Sequence, residues 1–368
     1  MKTYRIAVLP GDGIGPEVTN IALSVLDAVT EVNDLELSYA HYEAGAGFYR
    51  RTGTGITAET MSALEQADAI LFGAMGLPDV RRPDGTEVAP QLDIRERFHL
   101  FASLRPAELF RGVPRTIVAS DIDMMVIRET TEGLFAGRND PPSNDDDSES
   151  DRLTITRATS EQLFDLAFQQ AGARRRAGGR GHVTLLDKSN VLKSNAFMRA
   201  IFDEVAERHP DIETDRLYID AAVMLMVTQP ERFDVVVTEN AFGDIVSELA
   251  AGVAGGLGLA PSADVGVDHA VFQPCHGSAP DLAGKDVANP IGMILSAAMM
   301  LDWLSERHSD ANTLAAARSI RSAVETVLNQ GLLTRDLGGT AGTREVGAAV
   351  VKAIAGSNRA NLHSTPFR

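Results

Sequence analysis

Two carboxylates four residues apart, Asp244 and Glu248, stand in the stretch FDVVVTENAFGDIVSELAAGVAGG, just after the apolar run Val235, Val236 and Val237. The run reads as a buried strand and the segment after it as a helix, on which that spacing projects both acids from one face. A pair of oxygen donors suits a hard divalent cation, whereas acids early in a helix also complement its dipole; the spacing alone leaves both readings open. Arg95 and Arg105 lie ten residues apart in DIRERFHLFASLRP, which reads as an apolar helical stripe, and Arg128 ends the strand-like run MMVIR. A guanidinium at the end of a buried run needs an anionic partner. Three such groups, if they converge, suit a substrate with more than one carboxylate, because the guanidinium fork binds carboxylates bidentately. Lys188, flanked by Asp187 and Asn190 at the end of HVTLLDKSN, is a candidate proton-transfer group. Asp220 sits where the strand RLYID meets the helix AAVMLMV, the same kind of junction that precedes Asp244.

The elements that must position these groups alternate. Ile6 to Leu9 reads as a strand, PGDGIGPEV as a tight turn with Pro16 at a helix start, Val18 to Val29 as a helix, Leu37 to Tyr42 as a strand, and ADAILFGAMG as another buried strand. A βαβα order predicts an α/β fold with a mostly parallel sheet and helices on both faces. The basic run ARRRAGGRG, Ala173 to Gly181, reads as a solvated loop, and the acidic stretch Gly137 to Arg152 as an exposed loop or arm. From His269 to Pro290 there is little periodicity. There Gly277, Ser278 and Ala279 would admit a ligand close to the backbone, Asp281 could accept hydrogen bonds from a sugar diol, and His276 is either a ligand contact or a structural histidine. Helices are expected near Ile291 to Arg307, Leu314 to Asn329 and Gly342 to Ala355.

The chain has 368 residues, 44% hydrophobic and 23% charged, which is ample for two packed units. A formal charge of −17 argues against nucleic acid or an anionic membrane surface as a partner. Cys275 is the only cysteine, so no intrachain disulfide forms. No apolar stretch reaches the ~20 residues of a membrane span, and nothing at the start resembles a signal peptide, so a cytoplasmic protein is expected.

Taken together, LPGDGIGPEV, LFASLRP, VIRETTEG, DKSNVL, VVVTENAFGDI, HGSAPDLAGKDVANP and LGGTAGT resemble, in order and over nearly the whole chain, the β-decarboxylating dehydrogenases. These act on isopropylmalate, isocitrate, homoisocitrate and tartrate or D-malate, and the motifs stand nearest those of the isopropylmalate enzymes. The resemblance implies two α/β domains with a central cleft: residues 1–100 plus 255–368 on the cofactor side, and 101–254 for substrate, metal and dimer contact, with an arm near 137–157. It implies that Arg95, Arg105 and Arg128 clamp substrate carboxylates. Asp244 and Glu248 would hold magnesium or manganese with Asp220 of the partner subunit. Lys188, also supplied across the dimer, would move a proton at the substrate hydroxyl, and Asp220 would belong to the catalytic set with it. NAD would bind at Ile14, Gly73, His276, Gly277, Ser278, Ala279, Asp281, Leu282 and Asn289, with the acid at 281 favouring NAD over NADP. The implied reaction is metal-dependent oxidation, with decarboxylation, of a small 2-hydroxy di- or tricarboxylate in a homodimer.

Four positions depart from the family pattern. Phe135 replaces a tyrosine that protonates the product enol, Glu248 an aspartate, and Gln273 a glutamate ahead of HGSAPD. Gln91 stands where the isopropylmalate enzymes carry leucine, which shifts weight toward a more polar substituent. Tartrate, D-malate, isocitrate and homoisocitrate are therefore alternative substrates. A non-catalytic regulatory subunit is the competing class, and the survival of Lys188, Asp220, Asp244 and the three arginines weighs against it.

Overall fold

The computed structural model describes residues 2–114, 121–140 and 147–363. Ten strands run in chain order: β1 (Thr3–Leu9), β2 (Glu36–His41), β3 (Ala69–Phe72), β4 (Ala102–Glu108), β5 (Asp123–Glu129), β6 (His182–Asp187), β7 (Glu213–Tyr218), β8 (Val235–Thr238), β9 (Pro261–Val265) and β10 (Ala270–Pro274). The helices among them are α1 (Gly15–Asn33), α2 (Ala46–Thr52), α3 (Ala58–Glu65), α4 (Pro90–Arg97), α5 (Arg157–Arg176), α6 (Lys193–Ala206), α7 (Ile219–Thr228), α8 (Asn240–Val253), α9 (Ile291–His308), α10 (Ala311–Asn329) and α11 (Thr343–His363).

All ten strands form one sheet in the order β2-β1-β3-β10-β9-β4-β5-β8-β6-β7. The first four are mutually parallel, as are the last four. Three antiparallel steps lie between them, β10 with β9, β9 with β4, and β4 with β5. An odd number of reversals makes the two parallel blocks run in opposite senses. The sheet is therefore mostly parallel, as the βαβα pattern predicts, and mixed at its centre. One block draws on residues 3–72 and 261–274, the other on residues 102–129 and 182–238.

Continuous apolar strands such as β3 and β8 are buried along their length, as expected for strands covered on both faces. α1 shows why a helix forms where it does: Pro16 occupies its first turn, and Val18, Ala22, Val25, Leu26 and Val29 bury one stripe.

Two readings of the sequence need correction. The segment 93–106 is not one helical stripe: α4 ends at Arg97, and Arg105 lies on β4. Nor is the basic run wholly a loop, because Arg174, Arg175 and Arg176 form the last turn of α5, where cations complement the helix dipole. Of the acidic arm, residues 141–146 lie outside the described residues; Gly133 bridges Thr154 at its base.

Candidate active site

Cross-strand register explains how distant arginines meet. Ser103 on β4 is paired with Arg128 on β5 and with Asp264 on β9, so all three side chains share one face of the sheet. Arg105, two residues along β4, points to the same face. On β10, Gln273 pairs with Ser262, two residues before Asp264, which adds Gln273 to that face. Helix α8 covers β4 and β5 there and contributes Asn240, Asp244 and Ser247.

The three arginines are buried, 6%, 8% and 2% exposed for Arg95, Arg105 and Arg128. Each has a polar partner, as burial of a guanidinium requires. Arg105 Nη1 donates to Ser247 Oγ at 2.8 Å and faces Asp244 Oδ1 at 3.5 Å. Arg128 donates from Nε and Nη2 to Asn240 Oδ1 at 3.1 and 2.8 Å, and from Nη1 to Asp244. Asn240 is fixed in turn by donating to the Glu132 carbonyl at 2.9 Å. Arg95 Nε donates to Asp264 Oδ2 at 2.8 Å. Burial, together with the neighbouring charges of Arg105 and Arg95, pushes the Arg128 guanidinium down from its ordinary value, which Asp244 counters.

The start of α8 is built to allow this contact. The Glu239 side chain accepts from the amides of Ala241 and Phe242 and caps the helix. Gly243 lets α8 approach Arg128 closely, since a Cβ there would stand 2.6 Å from Arg128 Cγ and force one of the two to shift.

The three arginines and Asp244 line a cavity of about 240 Å³, together with Gly73, Gln91, Phe135, Gln273, Cys275, His276 and Gly277. Gln91 Oε1 is buried and has no hydrogen-bond partner among the described residues. Phe135 stands at the mouth, 39% exposed, with its ring centre 5.5 Å from the Arg128 guanidinium carbon. Phe135 offers the cavity no proton.

A second, more apolar cavity of about 560 Å³ shares His276 and Gly277 with the first and is lined also by Ile14, Ala279, Leu282 and Asn289. Burial holds the His276 imidazole below its ordinary pKa, so it is neutral near pH 7. Its Nδ1 lies 3.0 Å from the Gly277 carbonyl, which assigns the proton to Nδ1 and leaves Nε2, buried and unpartnered, as an acceptor. Ser278 lines neither cavity; its carbonyl accepts from Ile14 N at 2.8 Å and so ties the glycine-rich turn to this loop. Gly13 makes that approach possible, because a Cβ there would lie 2.0 Å from the Ser278 oxygen. Asp281 is exposed and outside both linings. Arg335 and Asp336, which the sequence reading passed over, line the second cavity, and Asp336 accepts from Asn289 Nδ2 at 3.0 Å.

Within one chain the remaining expected residues stay apart from the arginines. Lys188 Nζ pairs with Asp220 Oδ1; the two side chains are 29% and 67% exposed, and neither lines the arginine cavity. That pairing holds the Asp220 carboxyl below the usual range. Asp187 is not free to assist Lys188, since Arg199 clamps it at 2.6 and 2.9 Å. Glu248 is exposed and lines neither cavity. Among the described residues no group of three or more His, Cys, Asp or Glu side chains could hold a metal, so Asp244 is the one acid that the arginine cavity provides. Sequence reasoning also missed Asp264, because its strand, PSADV, is too short to show a pattern.

The pattern of the isocitrate/isopropylmalate dehydrogenase family matches residues 5–350, and the chain belongs to that family. It is 41% identical to the 3-isopropylmalate dehydrogenase of Methanothermobacter thermautotrophicus, over 96% of this chain and 99% of that one. It is also 41% identical to the 3-isopropylmalate/3-methylmalate dehydrogenase of Methanocaldococcus jannaschii, over 95% and 99%. Among solved structures, isocitrate dehydrogenase from Methylococcus capsulatus superposes with a TM-score of 0.83 at 35% identity, over 95% of this chain and 99% of that one. A β-decarboxylating dehydrogenase from Thermococcus kodakarensis, in its apo form, gives 0.80 at 36% identity over 99% and 100%. The expected fold and the isopropylmalate dehydrogenase-like character of the chain agree with these relatives. No described helix is long and apolar enough to cross a membrane.

Proposed function

We propose that this chain catalyses the NAD- and divalent-metal-dependent oxidative decarboxylation of a malate-type 2-hydroxy acid. The observation that carries the reading is the convergence of Arg95, Arg105, Arg128 and Asp244 on one cavity that shares His276 and Gly277 with a second. Three buried cations against the two carboxylates of Asp244 and Asp264 still leave a positive balance, which suits an anionic substrate. When bound, magnesium or manganese supplies Lewis acidity toward the substrate oxygen, and nicotinamide accepts the hydride. Asp244 offers a hard oxygen donor for that cation, and the set would be completed by Glu248 and by Asp220 of the partner subunit. The arginines orient the carboxylates, and Lys188, delivered across the dimer, moves the proton at the substrate hydroxyl.

The dimer reading is supported by an exposed apolar face on the paired helices α7 and α8, where Met224 and Ile245 are 58% and 66% exposed beside Val227. In this reading residues 1–100 with 255–368 form the cofactor side and residues 101–254 the substrate and dimer side. The second cavity suits the adenosine end of the dinucleotide. Asp281, next in sequence to the lining residue Leu282, would disfavour a 2′-phosphate, whereas Arg335 in the lining would accommodate one, so initial rates with NAD and NADP at equal concentration are the check. A higher kcat/KM with NADP would reverse the assignment.

Gln91 favours a second reading of the substrate. An isopropyl group against its unpartnered carbonyl oxygen leaves a buried acceptor unpaired, at a cost of about 1–3 kcal/mol, whereas a hydroxyl such as that of tartrate would donate to it. Metal-dependent NADH production with 3-isopropylmalate, 3-methylmalate, tartrate, D-malate and isocitrate tests both readings. Preference for 3-isopropylmalate supports the isopropylmalate-type reading and preference for tartrate or D-malate the second. Failure of every acid in the panel would refute the proposed reaction.

A further inference from the structure

Behind the arginine cavity lies a buried acid that the proposed reaction does not use. Asp264 is 1% exposed and does not line the cavity, yet one of its oxygens, Oδ2, accepts from two residues that do. Arg95 Nε reaches it at 2.8 Å and Gln273 Nε2 at 2.8 Å. We propose that Asp264 is a positioning residue for substrate binding, one carboxylate oxygen setting both the fork of Arg95 and the orientation of the Gln273 amide. This rests on the reading of Arg95 as a carboxylate clamp.

The chemistry follows from donor counts. Arg95 spends only its Nε on Asp264; among the described residues its two terminal nitrogens have no protein partner and are left for a ligand. A carboxylate only accepts, so the group that Gln273 turns toward Asp264 must be its NH2, and the group it can offer the cavity is its carbonyl oxygen. Burial alone would favour a protonated Asp264, but the adjacent Arg95 outweighs it and keeps the carboxyl ionised. The site therefore has room for one buried anion. An acid at position 273 would set two carboxylates within hydrogen-bond distance of each other, and an amide at position 264 could keep its oxygen on both donors but would remove the negative charge that faces Arg95.

The test uses D-malate, whose 2-hydroxy diacid core is shared by the candidate substrates, with the full chain and Mg2+, reading Kd by calorimetry and Tm by thermal denaturation. Arg95→Met should weaken binding, and Asp264→Asn and Gln273→Glu should each raise Kd by about 10-fold or more, the scale of one charged hydrogen bond. The exchange variant D264N/Q273E restores one carboxylate and one amide and should return Kd to within about 3-fold of the parent. A purely structural role would lower Tm without that recovery. If D-malate does not bind the parent protein, or Arg95→Met leaves Kd unchanged, the clamp reading fails and the positioning role falls with it. If Arg95→Met weakens binding while Asp264→Asn does not, or the exchange variant is no better than the worse single one, only the positioning role is overturned. Should Asp264→Asn fail to fold, the comparison of Gln273→Glu with the exchange variant still decides the matter.

Discussion

The arginine cluster and the Lys188–Asp220 pair carry the same kinds of charge in opposite circumstances. Arg95, Arg105 and Arg128 are nearly inaccessible, and each has a partner on an adjacent strand or on α8. Lys188, just past β6, and Asp220, on α7, pair with each other at the surface of the same block that carries Arg105 and Arg128. A buried ion cluster is held by the fold whether or not ligand is present. An exposed pair is worth about 0–1 kcal/mol and is easily separated. The proposed shared site would join the buried arginine half of one chain to the outward-facing pair of a second copy.

The sharpest way to break that comparison is to disable each half in a different chain. Asp244→Asn removes the cavity's one anionic oxygen donor, and Lys188→Met removes the candidate proton carrier. Each is expected to lower kcat by about 10³-fold or more in its own homodimer, the scale of several kcal/mol lost from the transition state. If the sites are shared, mixing the two variants after reversible dissociation should restore about a quarter of parental activity. Half of randomly paired dimers would be mixed, and each would carry one intact site of two. A mixture as inactive as its components would show that Lys188 and Asp244 serve a site within the same chain.

Part of this division was legible in the sequence and part was not. Residue type and junction position were enough to single out Arg128, Asp220 and Asp244, because a charge at the end of an apolar strand must be accounted for. Arg105 was assigned to a helix, since a charged segment with scattered apolar residues fits period 3.6 as well as it fits a short strand. Only the pairing of β4 between β5 and β9 decides that case. Asp264 was invisible for the same reason: its significance is the register that aligns it with Ser103 and Arg128, a long-range fact with no local signature. Glu248 shows the converse limit. It shares a helix face with Asp244 but lies one turn, about 6 Å, further along the axis, and there the cavity has ended.

A gentler perturbation acts on the buried half alone. In Gly243→Ala the added Cβ falls 2.6 Å from Arg128 Cγ and 2.7 Å from its Cβ. Alanine is about 1 kcal/mol better than glycine in a helix interior, but crowding a packed site costs about 1–3 kcal/mol. The expected net result is a loss of about 1 kcal/mol in urea denaturation and a KM for the 2-hydroxy acid raised about 10-fold, with kcat changed less. An unchanged KM would mean that Arg128 can move aside without losing its grip on the ligand, and that the cluster is less rigid than its burial implies.

The smallest effect is expected at the boundary between the two halves, where Phe135 caps the cavity. Its half-exposed ring lies against the buried Arg128 guanidinium, a cation–π contact worth about 0.5–2 kcal/mol that tyrosine would keep. Phe135→Tyr should therefore leave KM within about 3-fold and stability nearly unchanged, while adding the one thing that the phenyl ring lacks, an acidic hydrogen at the mouth. If protonation after carbon dioxide loss limits the parent enzyme, less than one carbon dioxide is released per NADH in the early phase of turnover, and the variant should bring that ratio toward one. A parent ratio already at one, unchanged in the variant, would locate the proton donor elsewhere. Lys188 from the outward-facing pair would then be the next group to replace.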